Sequence, residues 1–267
     1  MRKRSPEWQK QAFPVHRGVW PLGIQLAPSD RYLMRESDRT RSPTSRIKPG
    51  PIRVVVFDLD GTLIDSLPTI AAATNAVRIA RSLAPVELSA VRDAIGDGAR
   101  VLVGRLFSDA FAEGDMDALL SEFMTEYTDQ TMGESDPWRP GARSLLDTAR
   151  GLGLRLAILS NKPVHLTEAI LERTKTRSLF EEVRGPENSV AAKPDPRALT
   201  DLIEELGVGS DETIFVGDSV VDFETGKAAG VETIGLRGGY GAEGGAPPDL
   251  MLESPFALSV WLAEVVV

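Results

Sequence analysis

The feature that most constrains this sequence is a short apolar run that ends in two carboxylates. Residues 54–57 read Val-Val-Val-Phe, and Asp58, Asp60, Gly61 and Thr62 follow, with one leucine between the acids. Four β-branched or aromatic residues in succession predict a buried strand, and side-chain alternation sends Asp58 and Asp60 to the same side of the chain. Because two converging carboxylates repel each other, a cation is expected between them, and a hard, oxygen-ligated ion such as magnesium suits the site.

The pair Asp58 and Asp60 allows two interpretations. In a catalytic site, one carboxylate acts as a nucleophile while its neighbour transfers protons. In a structural site, the sequence Asp-x-Asp-Gly begins a calcium loop, which requires a preceding helix, a third acid ahead of its glycine and a glutamate at its twelfth position. Here a strand-like run precedes Asp58 and the other two features are missing. The sequence therefore favours a catalytic pair over a calcium loop.

Length and composition narrow the class of protein. The chain has 267 residues, no cysteine and a formal net charge of −9. This length accommodates one large domain, or a core with a modest second lobe. The lack of cysteine excludes disulfides and thiolate metal sites, so we expect a cytoplasmic protein. A monomer or a homodimer is expected. With no apolar run of membrane-spanning length and an acidic body, neither a membrane nor a nucleic acid is expected as a partner.

The first 50 residues differ from the rest of the chain. They carry 11 Lys and Arg against 4 Asp and Glu, and six prolines interrupt any apolar period. This composition predicts a disordered basic extension over residues 1–50. An over-long start assignment, with Met34 as the true start, is an alternative. A targeting segment is another, although the prolines would interrupt the amphipathic helix of a transit peptide.

Two patterns of secondary structure follow this extension. Residues 67–136 contain Ala-rich and Leu-rich segments of helical spacing, whereas helix and strand alternate from residue 137 onward. Alternation of this kind is typical of a parallel sheet with helices on both faces. We therefore predict an α/β fold in which residues 51–66 and 137–267 form a doubly wound, Rossmann-like parallel sheet core. Residues 67–136 are predicted to be an inserted small α-helical cap domain, placed as a lid over the first strand's acidic end.

The second half of the chain contains the remaining predicted elements. The strands are Arg155–Leu159, Glu182–Arg184, Thr213–Val216 and Glu232–Leu236. The helices are Ala142–Leu152, Pro163–Arg173, Pro196–Leu206 and Phe223–Ala229. In such a sheet, ligands bind at the carboxyl ends of the strands.

Three further polar motifs fall close to predicted strand ends. Ser160 and Asn161 offer a hydroxyl and an amide beside a helix start, which suits phosphate oxygens. Lys193 lies between residues that prolines restrict, so its ammonium has few positions. Asp218 and Asp222 are four residues apart, which predicts that both sit on one side of the first helical turn. Taken singly, these motifs also fit a helix cap, a solvated lysine and acids that complement a helix dipole.

The chain from about residue 54 to its end resembles the haloacid dehalogenase-like hydrolase superfamily. The matching motifs, in the expected order and spacing, are Asp58-Leu59-Asp60-Gly61-Thr62, Ser160, Lys193, and Gly217-Asp218 with Asp222. Other motifs resemble the phosphoglycolate phosphatase branch of that superfamily, namely Ser160-Asn161-Lys162-Pro163, Lys193-Pro194-Asp195-Pro196, Gly217-Asp218-Ser219 with Asp222, and Ile95-Gly96-Asp97-Gly98-Ala99-Arg100.

The resemblance implies magnesium-dependent hydrolysis of a small phosphomonoester such as 2-phosphoglycolate through an aspartyl-phosphate. Asp58 would attack the phosphorus, and Asp60 would protonate the leaving oxygen and then deprotonate the attacking water. Lys193 would offset charge on Asp58 and on the phosphoryl group. The implied magnesium ligands are Asp58, the backbone carbonyl of Asp60, and Asp218, with Asp222 as a further ligand or a support.

Four residues are expected to contact the substrate or shape its pocket. Ser160 and Asn161 would bind the transferring oxygens, and Thr62 would help shape the site. Arg100 follows a glycine-rich loop in the predicted cap, where it would grip a small acid such as glycolate. An alternative is that the two glycines of this loop end a helix and Arg100 lies at the surface.

Other functions fit the same residues. A pyrophosphatase, a nucleotidase, a sugar-phosphate phosphatase or a phosphosugar mutase would use the same core, whereas a dehalogenase would need neither Asp60 nor a metal. Outside this enzyme class, a phospho-accepting signalling domain also combines acids, magnesium, a hydroxyl and a lysine, although the predicted lid argues against it. A binding protein that has lost its activity is a further alternative, which the intact acids disfavour.

Overall fold

The computed structural model describes residues 51–110, 116–133, 137–241 and 245–266. The disordered extension predicted for residues 1–50 lies outside the described residues. Within these ranges the chain forms a six-stranded sheet with helices around it and a group of four helices inserted after the first strand.

The strands and helices have the following bounds. The strands are β1 Val54–Phe57, β2 Arg155–Leu159, β3 Glu182–Arg184, β4 Thr213–Gly217, β5 Glu232–Leu236 and β6 Leu250–Leu252. The inserted helices are α1 Leu67–Ala80, α2 Leu88–Ala94, α3 Ala99–Leu106 and α4 Met116–Gly133. The later helices are α5 Ala142–Gly151, α6 Val164–Arg173, α7 Arg197–Glu205, α8 Val220–Ala229 and α9 Pro255–Val265.

The sheet is parallel throughout, with strand order β3-β2-β1-β4-β5-β6. The predicted doubly wound, Rossmann-like sheet is confirmed. Because β2 and β4 lie on opposite sides of β1, the crossovers diverge there and leave a crevice at the carboxyl end of β1. Phe57 is in register with Ile158 of β2 and Val216 of β4, so these three strands end at one level.

Strand β1 is apolar throughout because both of its faces are covered. Val55 and Phe57 pack with residues of α5 and α9, whereas Val54 and Val56 pack with residues of α7 on the opposite face. All four side chains are fully buried. Burying each one stabilises the fold by roughly 1.5–3 kcal/mol relative to an exposed side chain. The strand that presents the two acids is therefore held firmly in the sheet.

The four inserted helices have an apolar cluster of their own. Helices α1 and α4 pack along each other, and α4 also contacts α6 next to the sheet. The larger buried members of this cluster are Ile70, Val77, Leu102, Phe107, Leu119, Phe123 and Tyr127. None of the described helices combines the length and apolarity that crossing a bilayer requires.

Two linkers join the inserted helices to the sheet, and they run side by side. Ile64 forms an antiparallel bridge with Trp138. The backbone N–H of Asp65 donates to the carbonyl of Pro137 at 2.7 Å, and that of Arg139 donates to the carbonyl of Leu63 at 2.9 Å. The inserted helices therefore begin directly beside the carboxyl end of β1.

The last strand and the last helix are absent from the sequence prediction. Strand β6 has three residues, too few to show an alternating pattern, and α9 is apolar over most of its length, so it lacks a helical period. One signal for α9 was present in the sequence, because Ser254 precedes Pro255. Ser254 Oγ accepts a hydrogen bond from the N–H of Ala257, as an N-cap residue does.

The predicted start of the helix after β4 is wrong by three residues. Helix α8 begins at Val220 rather than Phe223, because Ser219 is its N-cap residue. The Asp222 carboxylate accepts hydrogen bonds from the N–H and Oγ of Ser219 at 3.1 and 2.6 Å. Asp218 therefore precedes the helix, and the expectation that Asp218 and Asp222 share its first turn is also wrong.

Candidate active site

The loop after β1 turns sharply at the crevice in the sheet. The backbone N–H of Asp58 donates to the carbonyl of Val216 at 2.8 Å, which extends the strand ladder to this acid. Gly61 has φ +83°, and a Cβ atom there would lie 2.5 Å from Asp218 Oδ2. Because only glycine adopts this conformation without strain and leaves this space, Gly61 lets β1 and β4 present their acids to one point.

Lys193 lies between two of the acids. Its Nζ donates to Asp58 Oδ1 at 2.7 Å and to Asp222 Oδ1 at 2.5 Å, and its side chain is buried. Burial disfavours the charged ammonium, but the carboxylates of Asp222 and Asp58 hold the pKa of Lys193 above its ordinary value. The structure thus brings Lys193 to Asp58 from a distant part of the chain, as the strand-end argument predicted.

Asn161 holds the backbone of Lys193 rather than presenting a free amide. Its Oδ1 accepts from the N–H of Lys193 at 3.0 Å, and its Nδ2 donates to the carbonyls of Lys193 and Gly96 at 2.9 and 3.0 Å. These contacts use both amide hydrogens and one acceptor site. The sequence predicted Asn161 as a ligand of phosphate oxygens, whereas its geometry is that of a clip between Lys193 and the loop after α2.

Asp58, Asp218 and Asp222 form a compact acidic cluster. Each contributes one carboxylate oxygen to a set in which all atoms lie within 4.8 Å of one another. Asp218 is held in place, because its Oδ2 accepts from the backbone N–H of Tyr240 at 2.6 Å and its Oδ1 accepts from Thr62 Oγ1 at 2.9 Å. Asp222 bonds Lys193 and Ser219 and does not line the pocket, whereas Asp58 and Asp218 do.

The charges of this cluster fit a divalent cation. The cluster has three carboxylates, and one ammonium, that of Lys193, pairs with two of them. Without a metal, burial raises the pKa of Asp58 to about 8, against the opposing effect of Lys193. Burial and the charge of Asp222 raise the pKa of Asp218 to about 6. Carboxylate oxygens with this excess of negative charge, above all those of Asp58 and Asp218 in the pocket, are the ligands that magnesium prefers, so the residues present fit that ion.

Asp60 pairs with Lys162, a residue of the Ser160-Asn161-Lys162-Pro163 motif for which the sequence predicted no contact with Asp60. Lys162 Nζ lies 3.1 Å from Asp60 Oδ1, and its side chain is buried. The Lys162 ammonium also hydrogen-bonds the hydroxyl of Tyr127 and lies 4.5 Å from the centre of that ring. A lysine in a loop ordinarily faces water, so the sequence alone gave no signal for its burial.

Ser160 and Thr62 occupy different positions relative to the pocket. Ser160 is buried and lines it, and its Oγ accepts from the N–H of Lys162 at 3.3 Å. Thr62 is fully buried behind the acids, with its Oγ1 3.3 Å from Asp58 Oδ2 and 2.9 Å from Asp218 Oδ1. Thr62 therefore shapes the site by positioning two carboxylates, and it is not placed to contact a substrate.

Arg100 is not brought into the pocket. Its guanidinium pairs with Asp117 at 2.7 Å, and the side chain is 60% exposed. Its neighbours Gly96, Gly98 and Ala99 do line the pocket. The predicted position of the loop therefore agrees with the structure, whereas the Arg100 side chain points away from the pocket. The substrate contact expected for Arg100 is not seen, and the alternative of a surface position describes the structure, because Arg100 lies in the first turn of α3 and pairs with Asp117.

The wall that the inserted helices contribute to the pocket is mostly apolar. Ile70, Ile95, Leu102 and Phe123 line that side. Among the described residues, both lysines of the lining, Lys162 and Lys193, come from the loops of the sheet. The charged groups thus lie at the sheet and the apolar groups opposite them.

Arg139 and Tyr240 are two further residues of the site that sequence reasoning missed. Arg139 bonds the carbonyl of Gly61, and it donates to the carbonyl of Arg237 at 2.6 Å. Tyr240 lines the pocket, and its hydroxyl donates to Asp65 Oδ1 at 2.6 Å. The sequence held a weak signal for both residues. Each lies in a glycine- or proline-rich stretch next to a predicted element, and such loops often contain functional residues.

Comparison with protein families gives an independent result. The family model for haloacid dehalogenase-like hydrolases matches residues 52–230. A protein named phosphoglycolate phosphatase from Pseudomonas putida is 38% identical over 213 residues, which are 78% of this chain and 76% of that protein. A protein named N-acetylmuramic acid 6-phosphate phosphatase from Pseudomonas aeruginosa is 33% identical over 189 residues, which are 71% of this chain and 83% of that protein.

Solved structures share the same fold. A crystal structure described as a predicted phosphoglycolate phosphatase from Haemophilus somnus superposes with a TM-score of 0.72 at 27% identity, covering 78% of this chain and 96% of that one. The structure of CbbY from Rhodobacter sphaeroides in complex with phosphate has a TM-score of 0.67 at 22% identity. It covers 77% of this chain and 95% of that one, and at this identity the likeness concerns the fold alone.

Proposed function

This chain belongs to the haloacid dehalogenase-like hydrolase family, and from that premise we propose that it hydrolyses 2-phosphoglycolate with magnesium through an aspartyl-phosphate. Membership in this family and the phosphatase relatives make it a phosphatase that acts on a small phosphate ester. The signalling and non-catalytic alternatives are therefore set aside. The observation that carries the proposal is the convergence of Asp58 and Asp218, at the carboxyl ends of the neighbouring strands β1 and β4, with Lys193 from the loop after β3.

Two features support phosphoglycolate as the substrate. Relatives with that name are 33–38% identical to this chain. In addition, Ile70, Ile95, Leu102 and Phe123 offer no hydrogen-bond partner to the hydroxyls of a sugar, and leaving a polar group unpaired costs about 1–3 kcal/mol. A sugar phosphate, as in the name of the relative at 33% identity, is thus the second candidate.

We propose that the carboxylate of the substrate binds at the start of α3. Gly98 is the N-cap residue of this helix, and Gly98 and Ala99 both line the pocket. The first N–H groups of a helix lack intrahelical partners, so they are available to an anion. The N–H groups at the start of α3 would then bind the substrate carboxylate in place of Arg100, which the sequence suggested for that role. A small acid would fit such a site.

We propose the following chemistry. An oxygen of Asp58 attacks phosphorus and the ester P–O bond breaks, while Asp60 gives a proton to the departing alkoxide. Asp60 then removes a proton from water as the water attacks the aspartyl-phosphate, which releases inorganic phosphate and restores Asp58. Lys193 holds Asp58 and offsets charge on the phosphoryl oxygens, and Ser160 hydrogen-bonds one of them. Magnesium, held by Asp58, Asp218 and the backbone carbonyl of Asp60, would supply further positive charge at those oxygens.

We further propose that residues 67–136 serve as a cap and residues 51–66 with 137–267 as the catalytic core. The separate apolar cluster of α1–α4 and the paired linkers support this division. A cytoplasmic location and a monomeric or homodimeric state stay predictions from the sequence.

A substrate screen tests the proposed function. Purified protein is assayed with magnesium and with a chelator against phosphoglycolate, sugar phosphates, nucleotides and pyrophosphate. We expect phosphate release to be fastest from phosphoglycolate and to stop with the chelator. Preference for a sugar phosphate would move the proposal to its second candidate, and no release from any monoester would overturn it.

A further inference from the structure

Lys162 is a buried cation to which the proposed chemistry gives no role. Its side chain is 1% exposed, and its Nζ lies 3.1 and 3.5 Å from the two oxygens of Asp60. Burial of an ammonium group is costly unless a carboxylate and hydrogen bonds compensate for lost hydration. A methionine would fill similar space without that cost, which points to the charge, rather than the volume, as the useful property.

The second contact of Lys162 comes from the inserted helices. Tyr127 lies on α4, and its hydroxyl hydrogen-bonds the Lys162 ammonium, which also lies 4.5 Å from the ring centre. Tyr127 is 4% exposed and stacks on Phe123 with ring centroids 5.5 Å apart. The phenol therefore has little freedom, and it fixes a lysine that belongs to the loop after β2.

The two catalytic acids are thus held in different ways. Asp58 is held by Lys193, whose ammonium lies 5.5 Å from the ring of Phe215, so these groups come from the sheet and its loops rather than from the inserted helices. Asp60 is held by Lys162, and the contacts of Lys162 continue to Tyr127 on α4. A displacement of α4 would leave the nucleophile in place, but it would remove one of the partners that fix the acid–base group.

We propose that Lys162 is a positioning residue for Asp60, and that Tyr127 makes this position depend on the closed arrangement of the inserted helices. The inference rests on the proposed function, because it assigns Asp60 the proton transfers. Its consequence is that the leaving oxygen is protonated efficiently only when α4 covers the pocket and excludes bulk water. Lys162 would act on the proton-transfer group and leave the attack by Asp58 unaffected.

The test compares two phosphomonoesters with different leaving groups. An alkoxide, as in phosphoglycolate, needs a proton as it departs, whereas p-nitrophenolate leaves without one. The ratio kcat/KM reports the steps up to formation of the aspartyl-phosphate, so it isolates the first proton transfer from the later hydrolysis. The variants are Lys162→Met, Lys162→Arg and Tyr127→Phe, with Arg100→Met as the control that removes an exposed cation near the same pocket.

A positioning role predicts unequal losses. In Lys162→Met, kcat/KM should fall about a hundredfold for phosphoglycolate and less than about fivefold for p-nitrophenyl phosphate. In Tyr127→Phe, kcat/KM should fall about five- to tenfold for phosphoglycolate and less for p-nitrophenyl phosphate. In Lys162→Arg, kcat/KM for phosphoglycolate should fall less than in Lys162→Met. For p-nitrophenyl phosphate, kcat should fall more than kcat/KM, because water attack on the aspartyl-phosphate also uses Asp60. Arg100→Met should leave kcat/KM unchanged for both esters.

Equal losses on both esters, or no loss on either, would overturn the inference. Where Lys162→Met fails to fold, Tyr127→Phe decides, because it removes one hydroxyl and keeps the ring. Failure of the proposed function is recognised separately, since the unchanged protein would then release phosphate from neither ester. If the unchanged protein prefers another alkyl phosphate, that ester takes the place of phosphoglycolate in the comparison.

Discussion

Asp58 and Asp60 are two residues apart, and a different buried lysine contacts each of them. The sequence identified Lys193, because the neighbouring prolines restrict its position and its loop precedes a helix of the predicted sheet. It did not predict the burial of Lys162 or its contact with Asp60, because these involve Tyr127, which lies 35 residues earlier in a different group of helices. Residue types at strand ends were predictable, whereas contacts across the two parts of the molecule were not.

Asn161 offers a test at the scale of one residue. Replacing it by alanine removes the hydrogen bonds to both backbone groups of Lys193, so the ammonium should lose its fixed position beside Asp58. We expect Asn161→Ala to lower kcat about tenfold or more with a smaller change in KM, as measured by steady-state phosphate release.

The control for Asn161→Ala is Arg100→Ala. The Arg100 side chain pairs with Asp117 at the surface, and such pairs contribute about 0–1 kcal/mol to stability. Its kcat and KM should stay within about twofold of the unchanged protein. A loss of activity in Arg100→Ala similar to that in Asn161→Ala would restore the substrate contact that the structure argues against.

At the scale of elements, the sequence predicts strands and helices best where they are long or deeply buried. Strand β1 was predicted from its apolar run, whereas β6, with three residues at the sheet edge, was missed. The start of α8 was misplaced, because the capping contact between Ser219 and Asp222 cannot be distinguished from a metal-ligand spacing in the sequence. The linkers beside β1 were predicted as a boundary, but their pairing depends on contacts distant in sequence.

Tyr240 contacts both the linker that precedes α1 and the Asp218 carboxylate. Its hydroxyl donates to Asp65 and accepts from the backbone N–H of Leu67 at 2.9 Å, while its own N–H donates to Asp218. Tyr240→Phe removes the hydroxyl contacts and keeps the backbone one, so stability should fall by about 1 kcal/mol. Amide hydrogen exchange should accelerate at residues 65–70, and KM should rise a few-fold. Unchanged exchange there would show that the hydroxyl does not restrain the linker.

At the scale of the whole molecule, two features of the charge distribution work against each other. The chain carries a net charge of −9, yet an anionic ester must reach a pocket that contains several carboxylates. Lys162 and Lys193 neutralise two of these acids, and the remaining excess calls for a cation. The sequence predicted the acids and the metal, but the balance of charges required the folded arrangement.

This charge balance predicts how stability depends on pH. The pKa of Asp58 is about 8 in the metal-free folded protein against 3.8 for an ordinary aspartate, so the folded state binds the proton more tightly than the unfolded state does. The stabilisation is complete below the unfolded pKa and is lost as pH rises through about 8. Melting temperature with a chelator should therefore fall between about pH 4 and pH 8 and change little above that range.

Magnesium should reverse this trend, because it binds the ionised carboxylates and displaces the proton. The increase in melting temperature on adding magnesium should be larger at about pH 9 than at about pH 6. Asp58→Asn is the control, since it carries no titrating group and should show a flatter pH dependence in chelator. An equal magnesium effect at both pH values would contradict this account of the acidic cluster.

The most direct test of the central claim is to trap the covalent intermediate on Asp58. Protein in turnover with phosphoglycolate and magnesium is treated with borohydride, which reduces an acyl phosphate, and the modified peptide is located by mass spectrometry. We predict modification at Asp58 alone, together with a loss of at least about a thousandfold in turnover for Asp58→Asn. Normal phosphate release from Asp58→Asn, or modification at a different acid, would contradict the account.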